Sequence, residues 1–220
     1  MTVVFDVDPA APDPRAVDAA TEALRGGGLV ILPTETVYGL AARPDDPGAT
    51  ARVFEAKGRP TSLNLPVLAA DVGMAWTVGR PNGAAADLAS AFWPGPLTVI
   101  VPRADRSAGW ALGDRAGTVG LRVPDHALSR SLLDTSGPLA VTSANPSGGR
   151  PLERREELVS AFGGLVKVIL ALDPDAPAPS GTPSTVVDCT GPTTEVIRSG
   201  MIEPVDIHRI LAEEGPLQDQ

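Results

Sequence analysis

Helical and extended patterns alternate along this 220-residue chain, and that alternation restricts the fold to a sheet covered by helices. Asp13-Pro14 opens a segment with apolar positions at Ala16, Val17, Ala20 and Leu24, closed by Gly26-Gly27-Gly28, so an amphipathic helix is predicted there. Leu29 to Pro33 follows as a buried strand. Further helices are predicted over Pro47 to Ala56, Asn82 to Phe92, His126 to Asp134, Arg154 to Phe162 and Val205 to Glu213. Strands are predicted at Leu65 to Ala69, Leu97 to Val101, Val119 to Val123, Leu139 to Thr142, Val166 to Leu172, Thr185 to Asp188 and Glu195 to Arg198. The last two are joined closely enough to be antiparallel, so the expected sheet is mixed. With no repeat and no long linker, one α/β domain over residues 1–220 is expected. It carries a Pro-rich loop at 173–181 and a frayed tail from Gly215.

Acidic residues outnumber basic ones by 27 to 18, for a formal charge of -9. That balance argues against a strong electrostatic grip on nucleic acid, whose affinity comes from neutralising phosphates. It leaves room for a local cationic pocket. One cysteine, Cys189, has no partner for an internal disulfide, which fits a reducing compartment. Two histidines, His126 and His208, beside that cysteine offer no His/Cys metal cluster. No apolar run reaches membrane-spanning length and the N-terminus lacks a signal-peptide pattern, so a cytoplasmic protein with no membrane partner is expected.

The chain meets nearly every cationic need with arginine, and its two lysines are Lys57 and Lys167. Lys57-Gly58-Arg59-Pro60 therefore sets a compact point charge beside a planar fork, a pairing suited to phosphate oxygens. The simpler alternative makes Lys57 a solvated residue closing a helix. Two loops at strand ends add polar groups. Pro33-Thr34-Glu35-Thr36-Val37-Tyr38-Gly39-Leu40 presents Thr34 and Thr36 where ligands of open α/β sheets sit. Thr142-Ser143-Ala144-Asn145-Pro146-Ser147-Gly148-Gly149-Arg150 offers hydroxyls, an amide and glycine-rich backbone to an anion. Neither the phosphate-loop pattern nor Gly-x-Gly-x-x-Gly occurs, so a nucleotide site here has another design.

Together with Trp93-Pro94-Gly95-Pro96-Leu97-Thr98, Val119-Gly120-Leu121-Arg122-Val123-Pro124, Pro183-Ser184-Thr185-Val186-Val187-Asp188 and Ile197-Arg198-Ser199-Gly200, these segments form a series. In order and spacing it resembles the YrdC-like family of threonylcarbamoyl-AMP synthases over roughly residues 14 to 205. The resemblance implies a twisted mixed sheet with a concave cleft. It also implies a reaction: L-threonine and bicarbonate form N-carboxythreonine, whose carboxylate attacks the α-phosphate of ATP and expels pyrophosphate. Lys57, Arg59, Thr118, Ser143, Asn145, Arg150 and Arg198 would hold ATP, with Lys57 and Arg59 carrying the catalysis. Thr34, Thr36, Arg122, Thr142 and Ser184 would hold threonine and the nascent carboxylate. Mg2+ would arrive with ATP and no protein-ligated metal is implied. The product would pass to a separate tRNA threonylcarbamoyl transferase complex that modifies the adenosine beside the anticodon, with tRNA contacting this protein weakly and indirectly at most.

The chain departs from the family in one place. Many members carry a histidine where this sequence has Leu68, and Asn64 lies one place from the usual amide, which bears on amino-acid specificity. Longer members carry a second domain after a linker, and this chain resembles the short, single-domain form. Two other readings stand beside the synthase: a double-stranded RNA- or tRNA-binding module, and a carbamoyl-adenylate-forming enzyme. The remaining candidates read as structural. Trp93 packs a rigid turn, His126 sits in a helix's first turn, Cys189 is a small buried hydrophobe, and Arg154-Arg155-Glu156-Glu157 is a solvated helix face.

Overall fold

Ten strands and seven α-helices form within residues 1–213, the residues that the computed structural model describes. The tail expected to fray from Gly215 lies outside them. The strands are β1 (Val3–Val7), β2 (Val30–Leu32), β3 (Gly39–Ala42), β4 (Val67–Leu68), β5 (Leu97–Pro102), β6 (Thr118–Arg122), β7 (Leu139–Ser143), β8 (Val168–Leu172), β9 (Thr185–Asp188) and β10 (Glu195–Arg198). The helices are α1 (Pro14–Arg25), α2 (Pro47–Lys57), α3 (Val72–Val78), α4 (Gly83–Phe92), α5 (Ala127–Ser136), α6 (Arg155–Phe162) and α7 (Pro204–Glu213). One mixed sheet joins all ten strands in the order β1-β8-β2-β3-β7-β4-β6-β5-β9-β10. Its β9–β10 pair is antiparallel, as the short connection requires.

Helix starts follow the capping chemistry written in the sequence. Asp13, Asp46, Asp71 and Asn82 each turn a side-chain oxygen onto a free N–H of the first turn. The Arg154–Glu157 run does more than face solvent. The Glu157 carboxylate accepts the N–H of Glu153 (3.1 Å) and of Arg154 (3.2 Å) and so caps α6.

Three elements went unread in the sequence: β1, β3 and α3. β3 is Gly-Leu-Ala-Ala, a run with little strand preference, and it exists because β2 and β7 pair with it on both sides. β4 is shorter than expected. The Leu65 N–H is taken by the Leu112 carbonyl (2.7 Å) and Pro66 has no N–H to give, so the ladder starts at Val67.

The two faces of the sheet are covered unequally. Ile31, Leu40, Val99, Leu121 and Val187 belong to one core with Val53 of α2, Leu88 of α4, Phe162 of α6 and Ile207 of α7, so this face is packed from β2 to β9. The opposite face carries Val30, Leu32, Ala41, Leu139 and Leu170 under Leu24 of α1 and Leu128 and Leu132 of α5. That second core takes no residue from β5, β6, β9 or β10 among those described. Because successive side chains alternate across a strand, Thr118, Gly120 and Arg122 of β6 and Thr98 and Ile100 of β5 emerge on the face that α1 and α5 leave bare.

Candidate active site

The bare half of the sheet is the floor of a cavity of about 530 Å³. Gly120 lies mid-floor between Thr118 and Arg122, and its missing side chain keeps the floor low. Thr34, Thr36, Thr142 and Ser143 close one end, Arg59 and Leu63 form a wall, and Ser184 and Arg198 stand at the β9–β10 side. Arg59, Arg115, Arg122 and Arg198 all line the space and, among the described residues, no carboxylate does. In a chain with nine more acids than bases, that distribution marks an anion site.

Thr34 and Thr36 have different duties. The Thr34 hydroxyl donates to the Val37 carbonyl (2.6 Å) and accepts the N–H of Val37 (3.2 Å), fixing the turn after β2. The Thr36 hydroxyl lies 2.8 Å from it and keeps lone pairs for a ligand. The Pro-rich loop docks here as well, with the Gly181 N–H on the Thr36 carbonyl (2.9 Å).

Arg122 is 6% exposed. Its Nε donates to the Gly95 carbonyl (3.1 Å), and its Nη2 lies 2.8 Å from Glu35 Oε1. That charge contact falls short of hydrogen-bond geometry, so Arg122 Nη2 and both Glu35 oxygens stay buried without a hydrogen-bond partner. Burial lowers the Arg122 pKa and Glu35 pulls it back up. Such a group is ready for a second carboxylate. On the other side of the floor Ser184 Oγ lies 2.9 Å from Thr98 Oγ1, and Arg198 Nη2 donates to the Ser184 carbonyl (2.8 Å). Burial, then the Arg122 charge, depresses Arg198. Burial, then the Arg198 charge, depresses Arg59.

The two cations of Lys57-Gly58-Arg59 diverge. Gly58 closes α2 in the left-handed region (φ 59°), where glycine is favoured, and the chain turns between them. Arg59 enters the cavity wall, with Nε on the Leu63 carbonyl (2.9 Å) and Nη2 on the Asn64 carbonyl (3.2 Å). Lys57 was expected to hold ATP beside Arg59 or, in the simpler alternative, to be a solvated residue closing the helix. It is buried instead, and its Nζ donates to the carbonyls of Ser143 and of Asn145 (2.7 Å), with Ser143 Oγ at 3.5 Å. Its own carbonyl accepts the Ser147 N–H (3.1 Å), so backbone and side chain both fasten the loop after β7. Burial, then the Arg59 charge, draws the ammonium down to about 8.

Two more expected nucleotide ligands stand off the cavity. The Asn145 amide donates to the carbonyls of Pro146 and Gly149 (both 2.8 Å), closing its own loop. Arg150 is exposed and pairs with Glu157. Both side chains are satisfied by protein acceptors, Asn145 within its own loop and Arg150 on α6. Thr118, Ser143, Arg198, Thr34, Thr36, Arg122, Thr142 and Ser184 line the cavity with Arg59. Leu68, at the position where the family resemblance led histidine to be expected, lines it too and presents an apolar side chain. Among the described residues no group of three or more His, Cys, Asp or Glu side chains converges as a metal site.

The residues read as structural behave so. Trp93 Nε1 donates to the Leu97 carbonyl (2.8 Å) and its ring packs on Trp76, centroids 5.2 Å apart. Cys189 is buried, which pushes its thiol up to about 11. His126 is the N-terminal flanking residue of α5, and burial lowers its pKa.

The Sua5/YciO/YrdC family model, described as telomere recombination, matches residues 22–200. The chain belongs to this family. Among Sua5/YciO/YrdC relatives, a Mycobacterium leprae protein with the provisional name threonylcarbamoyl-AMP synthase is 41% identical, over 96% of this chain and 93% of its own. The Bacillus subtilis threonylcarbamoyl-AMP synthase is 34% identical over 93% of this chain and 58% of its own. The crystal structure of Pyrococcus abyssi Sua5 complexed with L-threonine superposes with a TM-score of 0.83 at 31% identity, covering 96% of this chain. The chain spans 62% of that Sua5.

The family's Ser-Gly segment is tied to this cavity by packing. A Cβ on Gly200 would run into the Pro183 oxygen and lie 2.5 Å from the Thr185 nitrogen. Gly200→Ala is therefore expected to cost about 1–3 kcal/mol and to shift Ser184. Urea unfolding checks the first effect, and an unchanged midpoint would show that this turn yields freely.

Proposed function

We propose that the protein makes threonylcarbamoyl-AMP from L-threonine, bicarbonate and ATP, releasing pyrophosphate. The observation that carries this reading is a cavity with four arginines, a hydroxyl-lined end and no carboxylate among the described residues, in a chain whose relatives bear that enzyme name. The threonine amine attacks the bicarbonate carbon, a C–O bond of bicarbonate breaks and water leaves with the displaced oxygen and a proton of the amine, giving N-carboxythreonine. A carboxylate oxygen of that acid then attacks the α-phosphorus, the bond from phosphorus to the bridging oxygen breaks, and pyrophosphate leaves with the electron pair. Charge grows on the phosphoryl oxygens and the leaving group, so preorganised cations supply the catalysis and no nucleophilic side chain is needed.

Arg122 orients the threonine carboxylate or the nascent carbamate, with the hydroxyls of Thr36, Thr142 and Ser184 around it. Arg59 and Arg198 hold phosphate oxygens. Ser143, Thr118 and the loop through Asn145 and Arg150 frame the nucleotide. Lys57 joins them by exchanging one of its loop acceptors for a phosphate oxygen. Mg2+ enters on ATP as part of the substrate. Transfer to tRNA by a separate complex, in the cytoplasm, belongs to the same proposal.

The test is incubation with ATP, L-threonine, bicarbonate and magnesium, with pyrophosphate and threonylcarbamoyl-AMP followed by mass. Serine should be used less well than threonine by a modest factor, since one methyl is worth ~1–3 kcal/mol. Valine should be used worse still, because it leaves hydroxyl partners unpaired. Equal pyrophosphate release with valine and threonine would end the threonine assignment. Carbamoyl phosphate replacing threonine and bicarbonate would move the reading to the carbamoyl-adenylate class.

A further inference from the structure

Arg115 and Asn64 lie on two loops that meet over the cavity, and both line it. Asn64 Nδ2 donates to the Arg115 carbonyl (2.8 Å), and the Arg115 N–H donates back to Asn64 Oδ1 (3.1 Å). One side-chain amide therefore grips both backbone polar groups of Arg115. The Asn64 main-chain carbonyl meanwhile accepts Arg59 Nη2 (3.2 Å), so two cation-bearing segments are referenced to a single residue.

The seam around that clamp is built and not slack. The Asp114 N–H donates to the Thr61 carbonyl (2.9 Å) and the Leu65 N–H to Leu112 (2.7 Å). Gly113 sits at φ +129°, and a Cβ there would lie 2.5 Å from Asn64 Oδ1 and 2.7 Å from the Thr61 oxygen, so the backbones approach as closely as glycine permits. From beneath, buried Arg103 donates to the carbonyls of Trp110 (2.7 Å) and Thr118 (3.0 Å).

All this order holds up a guanidinium that has no side-chain or carbonyl acceptor among the described residues. The adjacent acid makes no ion pair with it among the described residues; Asp114 Oδ2 accepts Thr61 Oγ1 (3.3 Å). Arg115 also stands at the opposite end of the floor from Arg122. Thr118 begins β6 and Arg122 ends it, a run of ~13 Å at strand rise, with Arg115 farther out on the Thr118 side. A carboxylate pole and a second anion pole are thus separated by the floor's length.

We propose that Arg115 is a further substrate-binding residue that holds the polyphosphate end of the nucleotide and the pyrophosphate it becomes, and that Asn64 is the positioning residue that aims it. The proposal rests on the ATP-dependent reading above. Within that reading it adds a fifth cation to Lys57, Arg59, Arg122 and Arg198 and gives Asn64 a task separate from amino-acid choice.

The experiment compares the full chain with Arg115→Gln, Arg115→Lys, Asn64→Ala and the Arg115→Gln/Asn64→Ala double variant, by calorimetric binding of inorganic pyrophosphate and of AMP. Arg115→Gln is expected to weaken pyrophosphate about tenfold, to leave AMP affinity and the unfolding midpoint unchanged, and to raise the KM for ATP more than it lowers kcat. Arg115→Lys should recover part of the loss. Asn64→Ala should weaken pyrophosphate in the parent and add nothing in the Arg115→Gln background, a coupling that a merely structural role would not show. Equal pyrophosphate affinity in parent and Arg115→Gln, or an equal loss for AMP, overturns the assignment to Arg115. Additive losses in the double variant overturn the role of Asn64. Failure of the parent to bind ATP or pyrophosphate at all would instead overturn the proposed function.

Discussion

Lys57→Ala is expected to lower pyrophosphate release about 100- to 1,000-fold and to lower folding stability by ~2–3 kcal/mol. The first effect is that of removing the cation which, under the proposed function, turns from a loop carbonyl to a phosphate oxygen where charge develops. The second follows from where the ammonium sits. With Nζ gone, the carbonyls of Ser143 and Asn145 lose a charged donor, and the space the side chain filled is left behind. An exposed lysine would lose turnover alone; burial couples the two losses. Thermal unfolding of the nucleotide-free variant beside a pyrophosphate assay separates them. An unchanged midpoint would mean that the loop after β7 stands without Lys57, and near-parental turnover at saturating ATP would remove Lys57 from the phosphate site.

Arg122→Ala is expected to cost ~3–5 kcal/mol in unfolding free energy, the largest stability loss in the site. Truncation strands the Glu35 carboxylate, whose two oxygens are already buried without hydrogen bonds and whose charge is met by this one guanidinium. Replacing both partners with apolar groups, as in Glu35→Leu/Arg122→Met, should recover most of the stability and none of the activity. Ion pairs in such places are stabilising mainly relative to their broken halves. Urea titration of the single and double variants measures this. A single variant costing under ~1 kcal/mol would show that water reaches Glu35 and does the work assigned to Arg122.

The sheet was legible wherever a strand announced itself by an apolar run. Leu97 to Val101, Thr185 to Asp188 and Glu195 to Arg198 formed within a residue of their expected bounds. β3 was not legible, because Gly39-Leu40-Ala41-Ala42 becomes a strand through its neighbours and not through its own preference. The site divides similarly. Arg59, Arg122 and Arg198 are named by motif and arrive in the cavity. Lys57 is named by the same motif, yet the left-handed Gly58 turns Arg59 away from it, a choice that hydrogen bonds 86 and 88 residues distant decide. Arg115 had no motif at all. Its only advance signal was an arginine with a glycine two places to either side shortly before β6, and it became readable once Asn64 was seen to hold its backbone from a loop 51 residues earlier.

The unequal covering of the sheet has a thermodynamic corollary. Where α1 and α5 end, β6, β5, β9 and β10 keep one face without a helical layer among the described residues, and under the proposed function the reactants would fill that place. Substrate is then a transient building element of the protein as well as its cargo. Occupancy raises the unfolding free energy by mass action, and product departure returns the molecule to its least consolidated form at each turnover. Durability and work cycle are written on the same surface.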